Sequence, residues 1–168
     1  MPNNSRIIYW DSCVFLSYIH KERDKISILE DIFNQVSSDK NAKIITSSIS
    51  LVEVANASWE KLQGKLDPAI EDNIDAMWDD TSAIEIVEFS ATVARMARRL
   101  MRDAIPHGWG LKPMDAIHLA TAEWVNRRLF TVEEFHTYDK LDKYGFMIGI
   151  RIKEPYILQP SFPNIGQE

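Results

Sequence analysis

The sequence predicts an α/β fold: a three-layer α/β/α sandwich in which a central parallel sheet is covered on both faces by helices. Two observations carry this prediction. Short runs of β-branched and aromatic residues alternate with longer segments of helical apolar spacing. No tight-turn signal joins one strand to the next, so each strand returns by a crossover, right-handed by default. In such folds ligands collect beyond the C-terminal ends of the strands, which makes chemistry-bearing residues at those ends worth following.

The elements follow in order. Residues 6–10, "RIIYW", form a short, fully buried strand, and "SCVFLSYIHKE" (12–22) a helix that either Ser12 or Asp11 is placed to cap. Residues 25–38 form a second helix, with Ile28, Leu29, Ile32, Phe33 and Val36 at helical spacing. "AKIITS" (42–47) is a second buried strand, residues 48–63 return to helical spacing, and "GKLDP" (64–68) is a break. An acidic amphipathic helix over 69–80 precedes a strand at 83–89 and a helix at 90–104. Pro and Gly make 105–112 a loop, and Pro113 opens a helix to 128. Strands at 132–139 and 146–152 complete the pattern.

One domain over residues 1–168 is expected, with an ordered core of about 5–153 and a Pro-rich tail, 154–168, packing on the surface. No apolar run is long enough to span a bilayer, and the N-terminus lacks the pattern of a secretory leader. A single cysteine, Cys13, makes neither an internal disulfide nor a Cys-based zinc site, so a reducing, cytoplasmic setting is expected. The net charge of −6 argues against a broad nucleic-acid-coating surface but not against a nuclease. An enzyme that holds cations with carboxylates is locally acidic, and the cations restore the attraction for phosphate.

Five acids fall at or near strand ends: Asp11 after the first strand, Glu53 after the second, Asp115 in the first turn of the helix at 113, then Asp139 and Asp142. Each has a local explanation. Asp11 suits a helix cap, Ser50 and Glu53 spell a capping box, Asp115 sits where a helix dipole favours an acid, and Asp139 and Asp142 suit turns. Gathered at one sheet edge, however, carboxylates raise one another's pKa and call for a cation. An all-oxygen donor set favours Mg²⁺ or Mn²⁺ over zinc.

Four segments in this order, "IIYWDSCVFL", "ITSSISLVEVANA", "LKPMDAIHLATA" and "FHTYDKLDKYG", resemble the PIN-domain ribonucleases, including the toxins of bacterial and archaeal toxin–antitoxin pairs. They span positions 7 to 145, most of the chain. The resemblance implies a PIN-like fold in which Asp11, Glu53, Asp115 and Asp139 are the catalytic acidic quartet and hold one or two Mg²⁺ or Mn²⁺ ions. Thr137, Ser12 and Asp142 would support the site. Ser47 or Ser48 falls where a hydroxyl often follows the second strand, with Ser48 the candidate to touch the substrate, and Lys112, close in sequence to Asp115, is the candidate to touch a phosphate. Metal-dependent endonucleolytic cleavage of RNA by activated water follows. So do a small antitoxin partner whose tail enters the acidic site and, as a further family expectation, a homodimer. The family often has Asn where this chain has Cys13; the first carboxylate then needs another partner, Ser12 or Thr137.

Other residues carry weaker signals. Arg95, Arg98, Arg99 and Arg102 share a helical face, read either as RNA-binding or as pairing with the acidic helix 69–80. His118, one turn after Asp115, could face the site but reads rather as a packed or solvent-facing histidine, and His107 and His136 carry no stronger signal. Trp59, Trp78, Trp109 and Trp124 read as core or interface rather than base-stacking platforms. A phosphatase that uses an Asp after its first strand needs a second acid two residues later, where Cys13 stands. The alternative within the resemblance is a non-catalytic PIN-like module that binds RNA or protein. Retention of all four acids favours catalysis over it.

Overall fold

The computed structural model describes residues 6–157; the expectation for the end of the Pro-rich tail, 158–168, lies outside the described residues. Five strands, β1 (Arg6–Trp10), β2 (Ala42–Ser47), β3 (Ile84–Val87), β4 (Val132–His136) and β5 (Arg151–Lys153), form one sheet in the order β3-β2-β1-β4-β5. Every pairing is parallel. Alternation along β1 separates two cores. Ile7 and Tyr9 face Leu100, Leu119 and Phe135, whereas Ile8 and Trp10 face Phe15, Leu29, Ile32 and Val36. The first core is roofed by α6 (Ala91–Ala104) and α7 (Pro113–Arg128), the second by α1 (Ser12–Ile19) and α2 (Ile26–Ser38). The predicted three-layer architecture is therefore present.

From β1 the chain winds outward to β2 and β3, then crosses back to place β4 and β5 on the opposite side. The winding reverses between β1 and β4, and a crevice opens outside their C-terminal ends. Asp11 and Thr137 directly follow those two strands.

The structure differs from expectation in three places. The helix expected over 48–63 is two: α3 (Ser50–Glu53) and α4 (Ser58–Gln63). The buried Glu60 explains the break, because its carboxylate accepts the N–H groups of Ala57 and Asp67, each at 2.8 Å, and so starts a separate helix. Gly64 then closes α4 in a left-handed conformation (φ 61°), before α5 (Pro68–Trp78). The strand expected over 146–152 is shortened to Arg151–Lys153, with a helical turn, α8 (Gly145–Ile148), ahead of it. Gly145 permits this fold-back: a Cβ there would lie 2.9 Å from the Ile150 carbonyl. Finally, β4 ends at His136, three residues before Asp139.

Candidate active site

Asp11 sits at the end of β1 with 3% exposure, and its two oxygens do different work. Oδ1 accepts the Ser12 N–H at 2.7 Å, which caps α1, while Oδ2 accepts the Thr137 hydroxyl at 2.8 Å. Thr137 Oγ1 in turn accepts the Asp139 N–H at 3.0 Å, so one hydroxyl ties the first acid to the backbone of the last. The capping explanation of Asp11 and a ligand role are thus compatible: the cap fixes the carboxylate's orientation. Thr137 and the Ser12 amide are the close partners of Asp11, and the Cys13 thiol adds a longer donation to Oδ2 at 3.7 Å. The Cys13 sulfur lies 3.2 Å from Thr137 Oγ1 and accepts the Tyr138 N–H at 3.3 Å.

Ligand atoms of Asp11, Cys13 and Asp139 lie within 4.8 Å of one another. Asp115, half-buried in the first turn of α7, shares a cleft of about 240 Å³ with Asp139, Lys112 and Lys143. Its carboxyl is held above the ordinary value by burial and by the charges of Asp11 and Asp139. Burial also raises Asp11, with Asp139 adding, against His118, Thr137 and the Ser12 amide. Burial, then Asp11, pushes the Cys13 thiol up to about 12.

The other half of the site centres on His118, which sequence reasoning set aside as a packed or solvent-facing residue. It is packed, at 1% exposure, but against the acids. Nε2 lies 2.6 Å from Glu53 Oε2, 2.9 Å from Ser12 Oγ and 3.4 Å from Asp11 Oδ1. Nδ1 meets the Tyr9 hydroxyl at 2.7 Å, and that hydroxyl accepts the Ser47 N–H. Burial disfavours the charged ring, yet the Glu53 bond and the Asp11 and Glu53 charges outweigh it and raise the His118 pKa. Burial likewise opposes the Glu53 charge, but His118 and Ser12 win and lower its pKa. The Ser12 hydroxyl also donates to Glu53 and contacts Ser50, which contacts Thr46 at 2.8 Å. The signal for His118 was its spacing from Asp115: one turn apart on a helix, the two share a face. Tyr9, a buried strand residue, gave none.

The remaining predicted residues are placed as follows. Glu53 forms no capping box, because α3 starts at Ser50 itself and the side chain turns to His118 and Ser12. The close ligand group contains neither Glu53 nor Asp115, and it is not all-oxygen, since it includes Cys13. Asp142 is exposed and starts a 3₁₀ turn (Asp142–Tyr144). Lys112 is exposed and lines the cleft, whereas the Ser48 hydroxyl accepts the Phe89 N–H at 3.0 Å and braces the β2–β3 edge. Among the described residues the arginine face of α6 makes no ion pair with the acidic helix α5. Its Arg99 instead bonds the fully buried Glu123 of α7 at 3.0 Å, where Arg127 joins at 2.7 Å.

The donor set suits a divalent cation. Three acids gather in one crevice at the ends of β1 and β4; burial first, and then the neighbouring carboxylate charges, disfavour the ionised forms of Asp11 and Asp115, and a cation there would offset both.

The model of the PIN domain family matches residues 8–139. Several solved structures share the fold, among them the following three. The VapBC2 complex of Rickettsia felis, bound to a DNA fragment from its promoter, is 18% identical with a TM-score of 0.65, covering 88% of this chain and 98% of that one. The DNA-bound VapBC of Salmonella typhimurium is 18% identical with a TM-score of 0.57, covering 89% and 97%. A toxin–antitoxin complex from Klebsiella pneumoniae is 20% identical with a TM-score of 0.56, covering 90% and 99%. Comparison with curated protein sequences gives no significant match.

Proposed function

Because the chain belongs to the PIN-domain family, we propose that it is a divalent-metal-dependent ribonuclease acting as the toxin of a toxin–antitoxin pair. The observation that carries the reading is the convergence of three acids at the sheet's switch point: ligand atoms of Asp11 and Asp139 lie within 4.8 Å of one another, and Asp115 shares a cleft with Asp139. Asp11, Asp115 and Asp139 would hold Mg²⁺ or Mn²⁺, one ion or two, with Cys13 beside them. The chemistry supplied by a bound divalent ion is a lowered pKa for water and charge to offset that of the phosphate.

The chain's own residues prepare for this. Thr137 and the Ser12 amide fix both oxygens of Asp11, leaving its carboxylate little freedom to turn away. The Glu53 and Asp11 carboxylates beside Nε2 favour the protonated form of His118 and raise its pKa against burial. In this reading Glu53 acts on the site through His118 rather than as a direct ligand. Lys112, at the mouth of the cleft, would meet a substrate phosphate.

Among the described residues no helix is long and apolar enough to cross a membrane. We place the protein in the cytoplasm, with an antitoxin as partner and a second copy of the chain as a dimer mate. The similarity to the toxin–antitoxin complex from Klebsiella pneumoniae supports the partner assignment. Asp11→Asn and Asp115→Asn should each abolish Mg²⁺- or Mn²⁺-dependent RNA cleavage while the fold survives. Wild-type cleavage by either variant would overturn the assignment and leave a binding module in its place.

A further inference from the structure

Beside the acidic crevice lies a surface that the metal chemistry does not use. The loop between α6 and α7 and the turn at α8 bring together His107, Trp109, Tyr144 and Phe146. The His107 and Trp109 rings stack at 4.6 Å with an interplanar angle of 22°. Tyr144 and Phe146 meet the Trp109 ring edge-on at 5.3 and 5.9 Å, and the Lys143 ammonium lies 5.3 Å from its centroid. Trp109 is thereby held in one orientation, yet it is only half-buried.

Trp109 lines a cavity of about 410 Å³ whose walls include Met101, Ile105 and Leu111 and whose cationic groups are Arg98 and Arg102. Both arginines are exposed, and among the described residues neither forms an ion pair, unlike Arg99 between them. Gly110 and Leu111 line both this cavity and the cleft that holds Asp115 and Asp139. The two spaces therefore adjoin along one loop. An open apolar pocket with an oriented indole, guanidinium groups beside it and the proposed phosphodiester-cleaving site next door matches one kind of ligand: an unpaired nucleobase on a phosphodiester strand.

We propose that Trp109, with Arg98 and Arg102, forms a subsite that stacks one unpaired base of the RNA next to the phosphate at the acidic crevice, so that single-stranded RNA is selected over duplex. The inference rests on the ribonuclease reading for its choice of RNA, but its test does not depend on cleavage. A paired base has both faces covered and cannot enter, and an acidic protein segment would satisfy the arginines but make no use of the apolar wall that Trp109 lines.

The test is binding of 5′-labelled oligoadenylate to the full chain in EDTA, followed by anisotropy, beside the same strand annealed to oligouridylate. Wild type should bind the single strand more tightly than the duplex. Trp109→Ala should weaken single-strand binding about tenfold and abolish the discrimination, while Trp109→Phe retains most of both. Arg98→Ala with Arg102→Ala should weaken binding and flatten its salt dependence. Because Trp109→Ala also removes packing against Tyr144, wild type is tested in parallel with an abasic strand, which should bind as weakly as oligoadenylate binds to Trp109→Ala. Equal affinity for abasic and oligoadenylate strands, or competition by oligoglutamate as effective as by oligoadenylate, would overturn the proposal. Trp109-dependent binding without any cleavage in Mn²⁺ would uphold the subsite and defeat the ribonuclease reading alone. Cleavage with base-independent binding would do the reverse.

Discussion

Replacing Thr137 by Val keeps the shape of the side chain and deletes a single hydroxyl, the one that donates to Asp11 Oδ2 at 2.8 Å and accepts the Asp139 N–H at 3.0 Å. A hydrogen bond to a charged group contributes about 1.5–3 kcal/mol. Asp11 is 3% exposed, so water cannot take over the donation, whereas the exposed Asp139 can turn its N–H to solvent. The loss therefore falls on Asp11, and Thr137→Val should destabilise the fold by about 2 kcal/mol, roughly a thirtyfold drop in the folded-to-unfolded ratio. Thr137→Ser keeps the hydroxyl and should lose only the worth of one methyl, about 0.8 kcal/mol. The assay is urea denaturation of the metal-free protein at neutral pH, read as a midpoint change at constant slope. A Val variant as stable as the Ser variant would refute the reasoning, since the hydroxyl would then carry no energy.

Further predictions concern other parts of the molecule. Burial holds the His136 imidazole below its ordinary pKa, Arg6 and Lys153 add to the depression, and Glu134, which also receives the Tyr156 hydroxyl, opposes it. Its neutral form stabilises the fold fully above the unfolded value of about 6.5, and that contribution is lost as pH falls through the lower folded value. His136→Gln should flatten the decline of the urea midpoint below about pH 6.5, and an unchanged slope would assign the decline elsewhere. Arg99→Ala with Arg127→Ala strands the buried Glu123 carboxylate and should cost about 3 kcal/mol, while Glu123→Met should be nearly neutral. Equal cost in the two would contradict this. Adding Mn²⁺ to chelator-treated protein should raise its melting temperature, by an amount that grows with concentration, and Asp11→Asn should remove the effect. A rise that survives that substitution would place the ion elsewhere.

Much of this was legible in the sequence because strand and helix periods are local properties. Residues 42–47 and 113–128 carry their elements within their own side chains, and their bounds in the structure are the expected ones. The break between α3 and α4 was not legible, because it depends on Glu60 reaching two backbone amides across a turn. The strand expected at 146–152 failed for a similar reason: its apolar residues fit a strand, but Gly145 and the left-handed Gly149 (φ 70°) turn the chain back instead. At the site, acids following strands could be placed by topology alone, which brought Asp11 and Asp139 to one crevice. His118 and Tyr9 could not, because their role arises from burial and from a hydrogen bond spanning 109 positions of the chain. A histidine one turn from an acid gives the same local pattern on a wet face as on a buried one.

The central claim, that the coupled acids enable RNA cleavage, is tested most directly at Asp139. This residue is exposed, so Asp139→Asn should leave the fold intact by circular dichroism. Wild type and Asp139→Asn would be incubated with the same RNA pool in Mn²⁺ and in EDTA, and the 5′ ends generated would be mapped. New ends that appear with wild type in Mn²⁺ alone, and vanish in the folded Asn variant, are what this account predicts. Ends produced equally by the variant, or by wild type in EDTA, would contradict it.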